Sequence, residues 1–211
     1  MRKLRIFEHI SLDGVIQASA DANNFPYGDW SAPYRTPAGR EALLARYGEK
    51  FDLLVGRRTY DGFATFWPKA PSSPMAGRLN AAKKYVVTHR PESLEWGPFE
   101  GGGPKLAEDI RRIKLHDGPD LLLMGTSTLT STPLEHGLAD EVVLLVDPVL
   151  LGTGGAHFCR GYSGARIRAR QHEGYADRHR YQFLQARWAF EEPTIRSSAM
   201  RVSLMLTVIM E

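Results

Sequence analysis

Leu53-Leu54-Val55-Gly56-Arg57-Arg58-Thr59-Tyr60-Asp61-Gly62-Phe63 is the stretch on which the reading of this chain turns. A short apolar run ends in glycine, two arginines and a threonine, and helical aromatic spacing follows. The pattern predicts a buried strand running directly into the first turn of a helix. A helix N-terminus carries unpaired N–H groups and a partial positive charge, so it can receive an anion such as phosphate. Gly56 lets an anion approach the backbone, and Arg57 and Arg58 add guanidinium forks that match phosphate oxygens. A strand-to-helix turn whose arginines only face water is the alternative.

The same strand–turn–helix unit recurs on both sides. Leu4, Ile6 and Ile10 predict a first strand that ends at Ser11-Leu12-Asp13-Gly14, with Asp13 and Gly14 in a turn. Residues 17–38 read as a long irregular loop, which in a compact domain suggests a lid or a binding loop. Thr36-Pro37 supplies an N-cap and first-turn proline for a helix carrying Leu43, Leu44, Tyr47 and Phe51. Residues 69–79 and 91–104 read as loops rich in Pro, Ser and Gly, separated by the strand Lys84–Thr88. A helix with Leu106, Ile110 and Ile113 on one face follows. Asp120–Met124 then forms a third continuous apolar strand, running into Gly125-Thr126-Ser127-Thr128-Leu129 and another helix. Glu141–Val146 reads as a fourth, ahead of a glycine turn at residues 152–155. Alternating segments at 166–170 and 181–188 predict an antiparallel hairpin joined through 171–180.

Alternating helices and continuous apolar strands imply an α/β fold with a mostly parallel central sheet in three α/β/α layers, plus a C-terminal antiparallel hairpin. In such sheets ligands bind at the C-terminal ends of the strands. Four distinctive turns fall there: Asp13-Gly14, Gly56–Thr59, Thr88-His89-Arg90 and Gly125–Leu129. Two helix N-termini and a base after a third strand make a cradle for a dinucleotide.

Composition bounds the rest. The 211 residues are 43% apolar and carry a net charge of +3, with scattered basic residues and no nucleic-acid stripe. The one cysteine, Cys159, excludes an internal disulfide and any multi-cysteine zinc site, and fits a cytoplasmic setting. The seven histidines include no i, i+4 pair, so no metal is expected. The N-terminus lacks a signal-peptide pattern, and no apolar run approaches the about 20 residues needed to cross a bilayer. Residues 1–192 read as one domain, and residues 193–211 as a C-terminal extension of open role.

The set Ser11–Ile16, Gly56–Tyr60, Tyr85–Arg90, Met124–Leu129 and Pro148–Gly154 resembles the dihydrofolate-reductase-like family. Within it, the set is most similar to stand-alone relatives of the riboflavin-biosynthesis reductase (RibD C-terminal) domain. The resemblance implies an NADPH-dependent reductase of a small pterin- or pyrimidine-like heterocycle. It implies that Gly56, Arg57, Arg58 and Thr59 hold the pyrophosphate region. Thr88, His89 and Arg90 would meet the adenosine 2′-phosphate, and Gly125, Thr126, Ser127, Thr128 and Leu129 would line the second phosphate and the nicotinamide side. Asp13 would lie by the nicotinamide, as a proton donor if burial raised its pKa, or else as a plain turn residue. Trp30 and Trp67 are candidates for a wall against a flat substrate; for Tyr60 and Phe63, core packing is the reading. Glu41, the only acid near the place of the family's pterin-binding carboxylate, reads as a solvated first-turn glutamate, which argues against folate itself. A homodimer is expected, since terminal antiparallel strands leave an edge to cover. A dinucleotide-binding sensor or assembly protein without turnover is the alternative function.

Overall fold

The computed structural model describes residues 1–16, 25–103, 105–125, 127–152, 168–173, 181–188 and 200–207. Two compact units share the chain: Met1–Ile6 with Leu43–Ala139, and Phe7–Ala42 with Asp140–Glu211. Strand β1 (Leu4–Ser11) contributes its first residues to one and its remainder to the other.

The first unit is a parallel α/β layer. Its strands β2 (Asp52–Gly56), β3 (Lys84–Val87), β4 (Phe99–Gly102) and β5 (Leu121–Met124) lie in the order β4-β3-β2-β5. All three pairings are parallel. Leu53, Leu54, Val55, Val86 and Leu121 to Leu123 are buried. Continuous apolar strands of this kind require cover on both faces. The cover comes from α2 (Arg57–Phe66), α3 (Pro74–Ala81), α4 (Leu106–Leu115) and α5 (Ser127–Glu135), with Tyr60, Leu79, Ile110 and Leu134 among their buried residues. The register aligns Gly56 with Val87, and Val87 with Gly102. The C-terminal ends of these strands therefore share one edge.

Two segments differ from the loops expected of their composition. Pro74–Ala81 is helical because Ser73 caps it, its hydroxyl accepting the Ala76 N–H at 3.2 Å, with Pro74 in the first turn. Phe99–Gly102 is a strand beside β3 although it holds two glycines. The glycine at 101 is required by space: a Cβ there would lie 2.6 Å from the Pro91 Cβ. Close approach of another segment, not looseness, explains the glycine.

Two buried cations brace this unit. The Arg2 guanidinium donates to the Pro119 carbonyl at 2.5 Å, to the Tyr85 hydroxyl at 3.3 Å, and to the Asp52 carboxylate. Lys84, with no exposed surface, donates from Nζ to the Asn80 and Gly97 carbonyls at 2.8 and 3.3 Å and sits 4.0 Å over the Trp96 ring. Burial pushes its pKa down to about 8, against the pull of Asp52.

The second unit contains β6 (Glu141–Asp147), β7 (Arg168–Glu173), β8 (Tyr181–Trp188) and β9 (Met200–Thr207). β6 and β9 are parallel, while β9–β8 and β8–β7 are antiparallel. Met200–Thr207, within the segment read as an extension of open role, thus pairs with β6 on one side and β8 on the other. Helix α1 (Pro37–Tyr47) begins as its sequence predicts, with the Thr36 hydroxyl accepting the Gly39 N–H at 3.1 Å. Residues 17–24 of the long loop, residues 174–180 of the hairpin connection, and Cys159 lie outside the described residues.

Candidate functional site

A cavity of about 380 Å³ opens at the strand-end edge of the first unit, lined by Arg57, Val87, Thr88, His89, Arg90, Gly103, Leu106, Leu129 and Thr132. Its floor follows from the parallel register: β2, β3 and β4 end side by side, and each hands the chain to a turn. α2 and α4 present their first residues, Arg57 and Leu106, to it, and α5 presents Leu129 and Thr132. The start of α2 has no side-chain cap; Gly56 precedes it in an extended conformation, φ −77° and ψ 161°. Any L residue adopts that backbone, so Gly56 is not there for its torsion angles.

Of the residues expected to bind a cofactor, Arg57, Thr88, His89, Arg90 and Leu129 line this one cavity. His89 and Arg90 are exposed at its rim. Thr88 supports them from within the turn, its hydroxyl accepting the Arg90 N–H at 3.1 Å. Thr59 is half-buried behind the cavity, against Gly125. Arg58 and Thr128 are exposed and do not line it. Ser127 opens α5, and Thr126 lies outside the described residues. The lining residues that sequence reasoning did not single out are Val87, Gly103, Leu106 and Thr132. Gly103 could have been found from the Gly101-Gly102-Gly103 run, had β4 been recognised.

The Arg57 side chain turns along the surface of its own unit. Its Nε donates to both Asp61 oxygens, at 2.8 and 2.9 Å, one helical turn further on. Its Nη1 donates to the Arg90 carbonyl at 3.1 Å and to the Ser93 hydroxyl at 2.6 Å. Three residues along α2, the buried Tyr60 hydroxyl accepts the Glu95 and Trp96 N–H groups at 3.0 and 2.6 Å and donates to the Trp96 carbonyl at 3.2 Å.

Trp67 is half-buried and packs edge-on against Phe63 and Phe66, with centroids 6.2 and 5.0 Å away. It is not among the residues lining the cavity. Chemically, the cavity offers two helix starts without a side-chain cap, those of α2 and α4, the Arg57 and Arg90 side chains, hydroxyls at Thr88 and Thr132, and apolar surface from Val87, Leu106 and Leu129. This donor set fits a ligand that combines anionic groups with a flat apolar portion, as a phosphorylated dinucleotide does.

Asp13 lies in the second unit, in the turn after β1. Its carboxylate accepts the Ser11 hydroxyl at 2.6 Å, the Leu151 N–H at 3.1 Å and the Gly152 N–H at 2.7 Å. The Ser11 hydroxyl, then the Gly152 N–H, hold its pKa down to about 2. The condition for a proton donor, a pKa raised by burial, is thus reversed: each hydrogen bond favours the anion. Asp13 acts as a clamp between the turn after β1 and residues 151–152. Trp30, at 8% exposure, packs with Val15, Phe25 and Leu151, so its ring is committed to that cluster. Glu41 is exposed. Elsewhere in this unit the His9 imidazole Nδ1 lies 2.9 Å from an oxygen of the buried Asp147. Among the described residues, no three His, Cys, Asp or Glu side chains are grouped to hold a metal, and no helix is long and apolar enough to cross a membrane.

The family model of the RibD C-terminal domain matches residues 104–182, a stretch that takes in α4, β5, α5 and β6 but not the Gly56–Thr59 turn. "Uncharacterized protein YyaP" of Bacillus subtilis (strain 168) is 27% identical over 106 residues. That match covers 48% of this chain and 56% of the relative, so the chain spans little more than half the length of that protein. A crystal structure described as a "Putative riboflavin biosynthesis protein" from Shewanella sp. PV-4 superposes with a TM-score of 0.54 over 81% of this chain and 92% of that one. At 19% identity it speaks to the fold alone. The α/β fold and the likeness to the RibD C-terminal family, both read from the sequence, stand.

Proposed function

Taking the chain as a RibD C-terminal-like protein, we propose that it is an NADPH-dependent reductase of a small pterin- or pyrimidine-like heterocycle. The RibD C-terminal family is a reductase family of the riboflavin pathway, which supports the reductase role. The observation that carries the cofactor reading is the convergence of Thr88, His89 and Arg90 with the start of α2 on one cavity. Bound there, a reduced nicotinamide dinucleotide would supply hydride for a C=N or C=O bond. Arg90 and His89 would face the 2′-phosphate, and the Arg90 charge favours NADPH over NADH. The uncapped start of α2 would face the pyrophosphate. Leu129 and Thr132 would border the dinucleotide from α5. Asp13, ionised at neutral pH, would order the turn after β1 and not deliver the proton, which would come from water or from the substrate side.

The test is titration with NADPH and NADH, followed by nicotinamide fluorescence and by melting temperature. NADPH is expected to bind at least tenfold more tightly. Equal binding would remove Arg90 from its assigned role, and binding of neither would remove the cofactor reading.

A second reading, a dinucleotide-binding sensor or assembly protein without turnover, is favoured by one observation: the carboxyl best placed in sequence to donate a proton is held as the anion. Loss of reduced-nicotinamide absorbance with pterin or pyrimidine substrates separates the two. A cytoplasmic homodimer is proposed in either case, and sedimentation tests the dimer.

A further inference from the structure

Arg57 is the arginine that the resemblance would place on the pyrophosphate, yet its Nε and Nη1 are engaged by residues of its own unit at the surface. Nε is held by both oxygens of Asp61, at 2.8 and 2.9 Å, which fixes the plane of the guanidinium. Nη1 then bridges the Arg90 carbonyl at 3.1 Å and the Ser93 hydroxyl at 2.6 Å. The Ser93 hydroxyl itself donates to the Arg90 carbonyl at 2.9 Å, so the three groups close a small ring of hydrogen bonds. The turn that bears His89 and Arg90 is thereby tied to α2 at Arg57. The chain just beyond it is tied to the same helix at Tyr60, through the Glu95 and Trp96 N–H groups. On its other side Pro91 presses on Gly101 of β4. A turn braced in this way holds two exposed side chains, His89 and the cationic Arg90, at a cavity rim.

We infer that Arg57, with Asp61 and Ser93, is a positioning residue: it sets the Thr88–Ser93 turn so that Arg90 meets the 2′-phosphate, and does not itself bind phosphate. This inference rests on the reading of the cavity as an NADPH site. Preorganisation of this kind raises affinity by lowering the ordering cost of binding. Ser93 thus becomes a determinant of cofactor choice although it is not among the residues that line the cavity.

The experiment compares NADPH and NADH affinity in wild type, Ser93→Ala, Arg57→Lys, Arg90→Ala and the double variant Arg57→Lys/Arg90→Ala. Lysine keeps the charge of Arg57 but cannot hold Asp61, Ser93 and the Arg90 carbonyl together. Ser93→Ala and Arg57→Lys are each expected to lower the NADPH:NADH preference by about three- to tenfold, the scale of one hydrogen bond, with NADH affinity nearly unchanged. Adding Arg57→Lys to Arg90→Ala should change the preference no further, because its effect passes through Arg90. An Arg57→Lys effect undiminished in the Arg90→Ala background, with Ser93→Ala silent, would overturn the inference and make Arg57 a direct phosphate ligand.

Amide hydrogen exchange without nucleotide provides the second measurement. Arg57→Lys and Ser93→Ala should speed exchange over residues 90–95 by about three- to tenfold while the interior of α2 keeps its rates. Unchanged exchange there would also overturn the inference. If wild type bound neither nucleotide, the cofactor reading would fail while the exchange result still decided whether Arg57 braces the turn.

Discussion

Gly125 leaves room for Thr59. A Cβ built on Gly125 would lie 3.4 Å from the Thr59 Oγ1 and 3.5 Å from its Cγ2, and Gly125 itself holds φ +60°. The first turn of α2 and the turn that leads into α5 therefore lie side by side, with Thr59 at ordinary contact distance from where a side chain of residue 125 would begin. For Gly125→Ala the obstacle is the backbone and not the space. The left-handed conformation costs about 1–2 kcal/mol for a residue with a Cβ, while Thr59 stands at ordinary contact distance. The melting temperature should fall by about 2–8 °C, read by calorimetry. NADPH affinity should fall with it, because the turn at Gly125 leads into α5, whose Leu129 and Thr132 line the cavity.

Gly101→Ala tests the other side of the site. The added methyl would meet Pro91 at 2.6 Å, and Pro91 is the next residue after Arg90. Overpacking of this kind costs about 1–3 kcal/mol. Chemical denaturation should show that loss, and nucleotide titration should show weakened preference for NADPH. A variant with full stability and full preference would mean that Pro91 yields freely and that the turn is not braced by β4.

Asp13 predicts an acid-side effect. Its carboxyl lies at about 2 in the folded chain against an ordinary 3.8. The unfolded chain therefore takes up this proton first as pH falls. The stabilisation by Asp13 is complete above about pH 4 and is lost as pH drops toward 2. Asp13→Asn should be less stable than wild type at pH 7 by urea denaturation. The difference should narrow below pH 4. Any turnover should show no ionisation step from Asp13 between pH 4 and 9.

Lys84 predicts an effect of opposite hand at high pH. Its folded pKa of about 8 lies below the ordinary 10.5. Between those values the unfolded chain holds more of this proton than the folded chain does. The Lys84 contribution thus makes stability rise with pH across that window. Lys84→Met should remove this rise, seen as the difference between variant and wild type at pH 7.5 and pH 10. At neutral pH the variant also loses the donors for the Asn80 and Gly97 carbonyls, at a cost of about 1–3 kcal/mol, partly offset because no charge is buried.

The part of this fold that rests on apolar continuity was legible in the sequence. Leu53–Val55, Leu121–Met124 and the Thr36-Pro37 helix start all lie as their residues predict. So was the meeting of Arg57, Thr88, His89, Arg90 and Leu129, because parallel strands must end on a common edge. Composition concealed the rest. β4 was hidden by two glycines, one of which, Gly101, Pro91 makes necessary, and α3 by a Pro-Ser-Gly content that also serves as its cap and first turn. Side-chain commitments were invisible: nothing in Gly-Arg-Arg-Thr shows that Asp61 and Ser93 engage the first arginine. The pKa of Asp13 depends first on the Ser11 hydroxyl and then on the Gly152 and Leu151 N–H groups, far along the chain, and the burial of Trp30 depends on Phe25 and Leu151.

The ion pair near the start of the chain bears on how this protein is made. Arg2 needs Asp52, 50 residues on, and the Pro119 carbonyl, 117 residues on. During synthesis the first strand leaves the ribosome long before either partner, at about 5–20 residues per second. For some seconds its apolar face and its arginine are held in water with nothing to close on. The first unit cannot seal until residues near 121 have emerged, so the nascent chain carries an open sheet edge until then, an interval in which a chaperone would find its clearest target.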